Sequence, residues 1–163
     1  MTREELINVV KQYPIGENGL KYRIDYTDGD VDFLKVTGFT IDEIFFDGYD
    51  CGYGEEDFKP ILEPLSSLTE EIERNGDKFC PLEKLYGKQD FKVKKLKNSI
   101  VIRFSDEGFQ IRTVISNHED FSYDMKLGVF RLLIDWKFDV FGLIEKDYAI
   151  STKDEKLKGI KVY

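Results

Sequence analysis

The sequence predicts an α+β fold: an antiparallel sheet of about six strands packed against a long C-terminal helix, with an N-terminal helix and two short helices. Three observations support this class. A helix-capping signal opens the chain, apolar and polar residues alternate with period two in several stretches, and a helical repeat of apolar residues runs near the C-terminus.

The first predicted helix covers residues 3–12. Thr2 and Glu5 have the spacing of a capping box, in which each residue satisfies a free backbone N–H of the first turn. Apolar residues then recur at i, i+3, i+4 and i+7, and Pro14 with Gly16 ends the helix. The apolar positions are Leu6, Val9, Val10 and Tyr13.

A β-rich segment follows. Residues 20–26 alternate between apolar and polar, which predicts a strand with one buried face. The pair Asp28-Gly29 predicts a tight hairpin turn, with a return strand over 31–36. Residues 39–46 are β-like, and a glycine-bearing polar loop comes after them.

Prolines divide the next part of the chain. Residues 58–62 predict a short strand in which Pro60 favours a sheet edge. Ser67 and Glu70 form a second capping-box pattern, so we expect a helix that ends at Asn75-Gly76.

Another short helix and a β-meander come next. Pro81 at a first helical position and Gly87 after the last predict a helix over 81–86. Period-two alternation from residue 91 to residue 115 then predicts three strands joined by turns at Lys97-Asn98 and at residues 105–108.

The last predicted element is a helix over residues 123–141 that is apolar on two faces, with an extension to Glu145 beyond Gly142 as an alternative end. One face holds Met125, Val129, Leu132, Leu133, Trp136 and Val140. The other holds Leu127, Phe130, Ile134, Phe138 and Phe141. Such a helix must be covered twice, either by another layer of its own domain or by another molecule.

Length and composition exclude several classes of protein. The 163 residues suit a single domain, 1–163, with a lysine-rich tail over 151–163 that is an edge strand or loosely ordered. Two cysteines, Cys51 and Cys80, provide neither a disulfide framework nor a four-cysteine zinc site. No apolar run reaches membrane-spanning length, and residues 1–5 lack a signal-peptide core, so we expect a cytoplasmic protein.

Negative charge is concentrated in residues 27–57. This segment contains ten acidic residues and one basic residue, Lys35, so its charge is −9, whereas the whole chain carries −8. Acidic side chains mixed with aromatic ones suit a basic partner and imitate a phosphate backbone; the alternative is a solvated hairpin and loop. The predicted partner-binding residues are Asp42, Glu43, Asp47, Tyr49, Asp50, Tyr53, Glu55, Glu56 and Asp57.

Positive charge is concentrated in residues 84–97, which hold six lysines and one acid, Asp90. Lysines on the solvent side of a strand protect a sheet edge, and this is the interpretation we favour over an anion or nucleic-acid site. The acidic and basic segments also suit pairing between two copies, which would make the protein a homo-oligomer.

Catalytic and metal-binding signatures are weak. His118 is the single histidine, and no nucleophile motif accompanies it. Asp28, Asp30 and Asp32 resemble the start of a calcium loop, but Phe33 stands where that loop needs glycine. We therefore predict no enzyme activity, no metal and no cofactor.

Two stretches carry a family resemblance: KPILEPLSSLT at residues 59–69 and DWKFDVFGLIEK at residues 135–146. Across residues 58–152 the chain resembles small uncharacterised proteins of bacteriophages and prophages of Bacteroidetes. The resemblance implies a mobile-element origin and action inside a bacterial cell, and it transfers no site residue.

We therefore expect a phage-like binding protein that acts on a basic host protein or nucleoprotein effector, without direct nucleic-acid or membrane binding. A sharper version is an inhibitor of a nucleic-acid-binding defence effector, anti-CRISPR-like or a DNA mimic. Two alternatives stay open: a self-associating accessory or structural phage protein, and a small carboxylate-dependent enzyme.

Overall fold

We analysed a computed structural model of the chain. It describes residues 1–16, 19–26, 28–40, 44–48, 57–74, 76–87, 91–95, 99–106, 109–116, 127–154 and 157. The chain forms two compact units: unit 1 is Met1–Leu62 with Leu143–Tyr163, and unit 2 is Glu63–Gly142. Whether the two units form one globular domain, as the sequence predicts, stays a prediction.

Unit 1 contains helix α1 (Arg3–Val10) and a five-stranded sheet. The strands are β1 (Lys21–Asp25), β2 (Val31–Phe39), β3 (Ile44–Phe46), β4 (Asp57–Leu62) and β10 (Ile150–Ser151). Their order is β10-β4-β1-β2-β3, and every pairing is antiparallel except the parallel one between β10 and β4.

Helix α1 begins as the sequence predicts. The Thr2 Oγ1 accepts a hydrogen bond from the Glu5 N–H at 3.2 Å, and the Thr2 N–H donates to Glu5 Oε2 at 2.6 Å, which completes the capping box. Its buried face is formed by Leu6, Ile7 and Val10. The capping box therefore sets the start of the helix. The helix ends at Val10 rather than at residue 12, and Ile7 is fully buried whereas the predicted core residue Val9 is half-buried.

The core of unit 1 centres on Tyr22, whose side chain is 1% exposed. Its ring centroid lies 5.5 Å from that of Phe46 and 6.2 Å from that of Phe58. Since Tyr22 and Ile24 alternate with the half-buried Lys21, Arg23 and Asp25, the period-two pattern of β1 correctly predicts which face is buried.

Strand β4 lies inside the sheet, but at Pro60 it has a described neighbouring strand on one side only. Strand β10 pairs with β4 only at Ile61 and Leu62, so among the described residues nothing pairs with that side of β4 at Pro60. The missing N–H of proline is tolerated at such a place. Ile61, Ile150 and Leu157 then form a second buried cluster with Phe33 packed against it.

A tight turn in unit 1 holds Asp147 in the left-handed region, at φ +62°. The Tyr148 N–H donates to the Leu143 carbonyl at 2.8 Å, and the Asp147 N–H donates to the Ile144 carbonyl at 3.2 Å. The Asp147 side chain is 89% exposed and forms an ion pair with Lys59 at 2.8 Å. The effect of a substitution at Asp147 therefore depends mainly on the left-handed backbone conformation and little on side-chain packing.

We predict that Asp147→Gly will be more stable than Asp147→Ala by about 1 kcal/mol, because a Cβ is disfavoured at positive φ. Both variants lose the ion pair with Lys59, so their difference isolates the backbone term. Urea denaturation measures it. At the neighbouring exposed Lys146 the order should reverse, with alanine more stable than glycine; the same order at both positions would contradict the interpretation.

The described residues of unit 2 form short helices and two small sheets. Its elements are a 3₁₀ helix (Leu65–Thr69), β5 (Ile72–Arg74), β6 (Asp77–Phe79), α2 (Pro81–Tyr86), β7 (Lys92–Lys95), β8 (Ser99–Asp106), β9 (Phe109–Ser116) and α3 (Leu127–Asp135). Strands β5 and β6 form a two-stranded antiparallel sheet, and β7-β8-β9 form a three-stranded antiparallel sheet.

Two predictions for unit 2 are confirmed. Helix α2 begins at Pro81 and is followed by Gly87 at φ +78°. The β-meander forms with Lys92 and Lys94 exposed on β7, an edge strand of its sheet, as the edge-protection interpretation requires.

The predicted helix from Ser67 to Asn75 is wrong. Within the described residues the Ser67 hydroxyl has no hydrogen-bond partner, so it does not cap a helix. Buried Ile72 and Arg74 flank exposed Glu73, which is the period of a strand. Arg74 pairs with Asp77 at the end of the β5–β6 hairpin, and Gly76 between them has φ +85°, so this glycine lies in a hairpin turn and does not end a helix.

The predicted long C-terminal helix is also wrong, because α3 spans nine residues and ends at Asp135. Lys137 adopts φ +64°. The Phe138 N–H donates to the Leu133 carbonyl and the Lys137 N–H to the Ile134 carbonyl, both at 2.8 Å. These two bonds form a Schellman motif, which normally uses glycine at the left-handed position. The predicted start, residues 123–126, lies outside the described residues.

Within the described residues, the strands form sheets of five, two and three strands instead of the predicted sheet of about six. The fold class, α+β, is confirmed, but the sheet in unit 1 is mixed because β10 is parallel to β4. Period-two alternation predicts where the strands are but not which strands pair, because pairing depends on residues far apart in the chain.

A buried ion pair ties three segments of unit 2 together. The Arg74 Nη2 lies 3.1 Å from Glu63 Oε2, with side-chain exposures of 9% and 8%. The Arg74 Nε also donates to the Trp136 carbonyl at 3.0 Å, and Nη1 donates to the Glu73 carbonyl at 2.8 Å. The Glu63 backbone bridges to Phe138 in parallel fashion. Arg74 therefore satisfies a buried carboxylate and two carbonyls at once.

Candidate functional site

The candidate site is the end of the unit 1 sheet where β1 turns into β2. The Tyr26 N–H donates to the Asp30 carbonyl at 2.9 Å, and the Gly29 N–H donates to the Tyr26 carbonyl at 3.0 Å. Gly29 has φ +94°, and the Asp30 N–H donates to Asp28 Oδ1 at 3.2 Å. The Asp-Gly pair thus forms the hairpin turn that the sequence predicts.

Four aspartates lie in this turn and in the strand residues next to it. Asp28 and Asp30 are exposed, and Asp32 accepts a hydrogen bond from the Tyr26 hydroxyl at 3.1 Å. Asp25 is the last residue of β1. We call Asp25, Asp28, Asp30 and Asp32 the acidic tip.

The acidic tip has an exposed apolar neighbour. Val31 is 40% exposed and pairs across the strands with Asp25. On the other side, Asp25 pairs with Asp57, the first residue of β4. The tip can therefore offer negative charge together with one aliphatic contact to a basic partner.

Basic residues follow directly behind the tip along the sheet. Arg23 donates to Asp25 Oδ1 from Nη2 at 2.6 Å and from Nε at 2.9 Å. Arg23 pairs across the strands with Lys59, and Lys21 with Lys35. Because of this arrangement, negative charge is strongest at the turn and falls quickly along the sheet.

The structure describes two of the nine predicted partner-binding residues. Asp57 starts β4 at the level of the acidic tip. Asp47 is exposed, and its backbone N–H donates to the Lys35 carbonyl at 2.8 Å. Lys35 lies four positions along β2 from Val31, roughly 13 Å away at the rise of a strand. The remaining seven, Asp42, Glu43, Tyr49, Asp50, Tyr53, Glu55 and Glu56, lie outside the described residues.

Sequence reasoning overlooked Asp25 as a site residue. Its signal was available, because Lys21, Arg23 and Asp25 occupy the polar positions of a strand whose other face is apolar. Asp25 pairs with Val31, so it lies next to the turn that contains Asp28 and Asp30.

In the described part of the chain, no group of three or more His, Cys, Asp or Glu side chains is placed to hold a metal ion. Asp28 and Asp30 lie in the hairpin turn, and Asp32 lies in β2. His118 and Cys51 lie outside the described residues, whereas the half-buried Cys80 thiol donates to the Leu68 carbonyl at 3.7 Å.

No helix of the described residues is long and apolar enough to cross a membrane. Comparison with protein-family models, with curated proteins and with solved structures finds no match to this chain. The resemblance to phage proteins therefore stays a hypothesis.

Proposed function

We propose that this protein is a non-enzymatic, phage-like binding protein that docks through its acidic surface on a basic partner in a bacterial cytoplasm. The observation that carries the proposal is the acidic tip, where two exposed aspartates, Asp28 and Asp30, lie in a turn next to exposed Val31. The charge of −9 in residues 27–57 supplies the wider field around it.

The partner class follows from this chemistry. A surface of closely spaced carboxylates competes with a phosphate backbone for the same lysines and arginines. We therefore propose that the partner is a nucleic-acid-binding effector of bacterial defence and that binding inhibits it by occupying its basic channel. The proposed acidic surface comprises the acidic tip together with the nine predicted residues.

The test compares two variants of equal charge. Asp28→Asn/Asp30→Asn/Asp47→Asn removes three exposed carboxylates from the proposed surface. Glu71→Gln/Asp77→Asn/Glu83→Gln removes three exposed carboxylates from unit 2. Each changes the net charge from −8 to −8 + 3 = −5, so general attraction is matched. Asparagine at position 28 keeps an oxygen that accepts the Asp30 N–H.

The wild-type protein, immobilised on beads, is exposed to nuclease-treated bacterial lysate, and the captured effector is then purified. We expect that effector to bind the wild-type chain, to release labelled duplex DNA on binding, and to dissociate as salt rises. The surface variant should bind roughly tenfold more weakly, since each exposed ion pair contributes about 0.2–1 kcal/mol. The unit 2 variant should bind as wild type. Equal binding by both variants would sink the proposal.

A further inference from the structure

The three-stranded sheet of unit 2 has two outer edges of different character. Strand β7 is four residues long and carries Lys92, Lys94 and Lys95, which discourage another strand from pairing. Strand β9 is eight residues long, holds one charged residue, Arg112, and has no lysine, proline or glycine. Among the described residues, β9 pairs with β8 alone.

The register of β8 and β9 shows which backbone groups of β9 face outward. Asp106 pairs with Phe109 across a two-residue loop. Residues that close such a loop exchange both backbone hydrogen bonds, and bonded and non-bonded pairs alternate from there. The backbone N–H and C=O groups that point away from β8 therefore belong to Gln110, Arg112, Val114 and Ser116.

We propose that β9 pairs with β9 of a second copy of this chain, antiparallel about a two-fold axis at Thr113, to form one continuous six-stranded sheet. In this register Arg112 of one copy lies opposite Val114 of the other, and Gln110 lies opposite Ser116. All four outward-facing residues are used, which gives about eight hydrogen bonds between the copies.

Neighbouring registers are less favourable. An axis at Arg112 places two arginines directly opposite each other, which is destabilising. An axis at Val114 leaves Gln110 without a partner position. The axis at Thr113 also aligns Ile111 with Ile115, and pairs of β-branched residues stabilise antiparallel strands. The axis at Thr113 is therefore the self-pairing register that uses all four outward-facing residues without opposing like charges, and this favours a second copy as the occupant of this edge.

The dimer is tested by light scattering after size exclusion. We expect the wild-type chain at twice its mass of 19.1 kDa. Val114→Pro removes an outward N–H and leaves the ladder to β8 intact, because proline is accepted on a free strand edge; this variant should run at 19.1 kDa. Val93→Pro is the matched control. Val93 pairs with Ile102, whose backbone groups point to β9, so the Val93 N–H points away from β8 and its removal also leaves the sheet intact.

A second measurement traps the register directly. Thr113 pairs with Thr113 of the second copy at a non-hydrogen-bonded site, where Cα atoms are about 4.5 Å apart and a disulfide is allowed. Thr113→Cys should therefore form a covalent dimer on mild oxidation. Phe109→Cys, outside the paired residues of this register, should remain at the background that Cys51 and Cys80 give in the wild-type chain.

A monomeric wild-type chain would overturn the proposal, and so would a dimer that survives Val114→Pro or fails to cross-link at position 113. The result is independent of effector capture, since none of these substitutions touches unit 1.

Discussion

Replacing Arg74 with methionine is expected to lower the free energy of unfolding by about 3–5 kcal/mol, the usual loss when one partner of a buried ion pair is removed. The variant leaves the Glu63 carboxylate buried without its cation. It also deprives the carbonyls of Glu73 and Trp136 of their donors. Urea denaturation followed by circular dichroism and by the fluorescence of Trp136, the single tryptophan, measures the loss.

Two comparisons isolate the cause. Arg23→Met removes an ion pair that is partly exposed, with side-chain exposures of 19% and 38%, so it should lower stability by about 1 kcal/mol or less. The double variant Glu63→Leu/Arg74→Met should recover part of the loss because no charge is left buried. It will not recover all of it, since the two carbonyls still lack donors. A loss of less than about 1 kcal/mol in Arg74→Met would contradict the role of the pair.

Truncating Tyr22 to alanine should lower the free energy of unfolding by about 3–5 kcal/mol, the range for removing a large aromatic ring from a core. Tyr22 is 1% exposed and packs against Phe46 and Phe58. Urea denaturation at neutral pH measures the loss. Tyr22→Phe keeps the ring, so we expect a change of about 1 kcal/mol or less.

Tyr22 should also make the fold sensitive to alkaline pH. Burial raises the pKa of the Tyr22 hydroxyl, because the charged phenolate is poorly solvated in the core. In the unfolded chain the group titrates near its ordinary pKa of about 10, so the unfolded state binds fewer protons above that pH. Stability contributed by neutral Tyr22 is therefore complete below about pH 10 and decreases as the pH rises further.

Tyr22→Phe is the control for this pH dependence. In urea denaturation at a series of alkaline pH values, its stability should fall less steeply than that of the wild-type chain. Equal slopes for the two proteins would show that the Tyr22 proton does not contribute.

Local signals in the sequence predicted local structure well. Three features depend only on residues close together in the sequence. They are the Thr2–Glu5 capping box, helix α2 between Pro81 and Gly87, and the alternating strands of the meander. Asp28-Gly29 likewise formed its hairpin because the backbone conformation of a tight turn is decided by the turn residues.

The same local rules failed where two structures were compatible with one pattern. Residues 67–76 contain a helix-capping spacing and an Asn-Gly turn, and burial of Arg74 beside Glu63 accompanies the hairpin. The apolar repeat beyond Asp135 resembles that of a helix, but Lys137 adopts a left-handed backbone conformation that ends the helix. The sequence has no glycine there to predict this end. Phe138 then pairs with Glu63 along an extended segment.

For the candidate site, the sequence determined that negative charge accumulates in residues 27–57, because composition needs no fold. The tertiary structure decided that Asp57 pairs with Asp25 across the strands, next to the acidic tip, and that basic residues lie immediately behind it. Likewise, the partner of Arg74 and the division of the strands into three sheets came from the fold alone. Helix capping and period-two alternation depend on residues close together in the sequence, so local patterns predict them. Strand pairing and buried ion pairs join residues far apart in the sequence, and no local pattern predicts which residues these are.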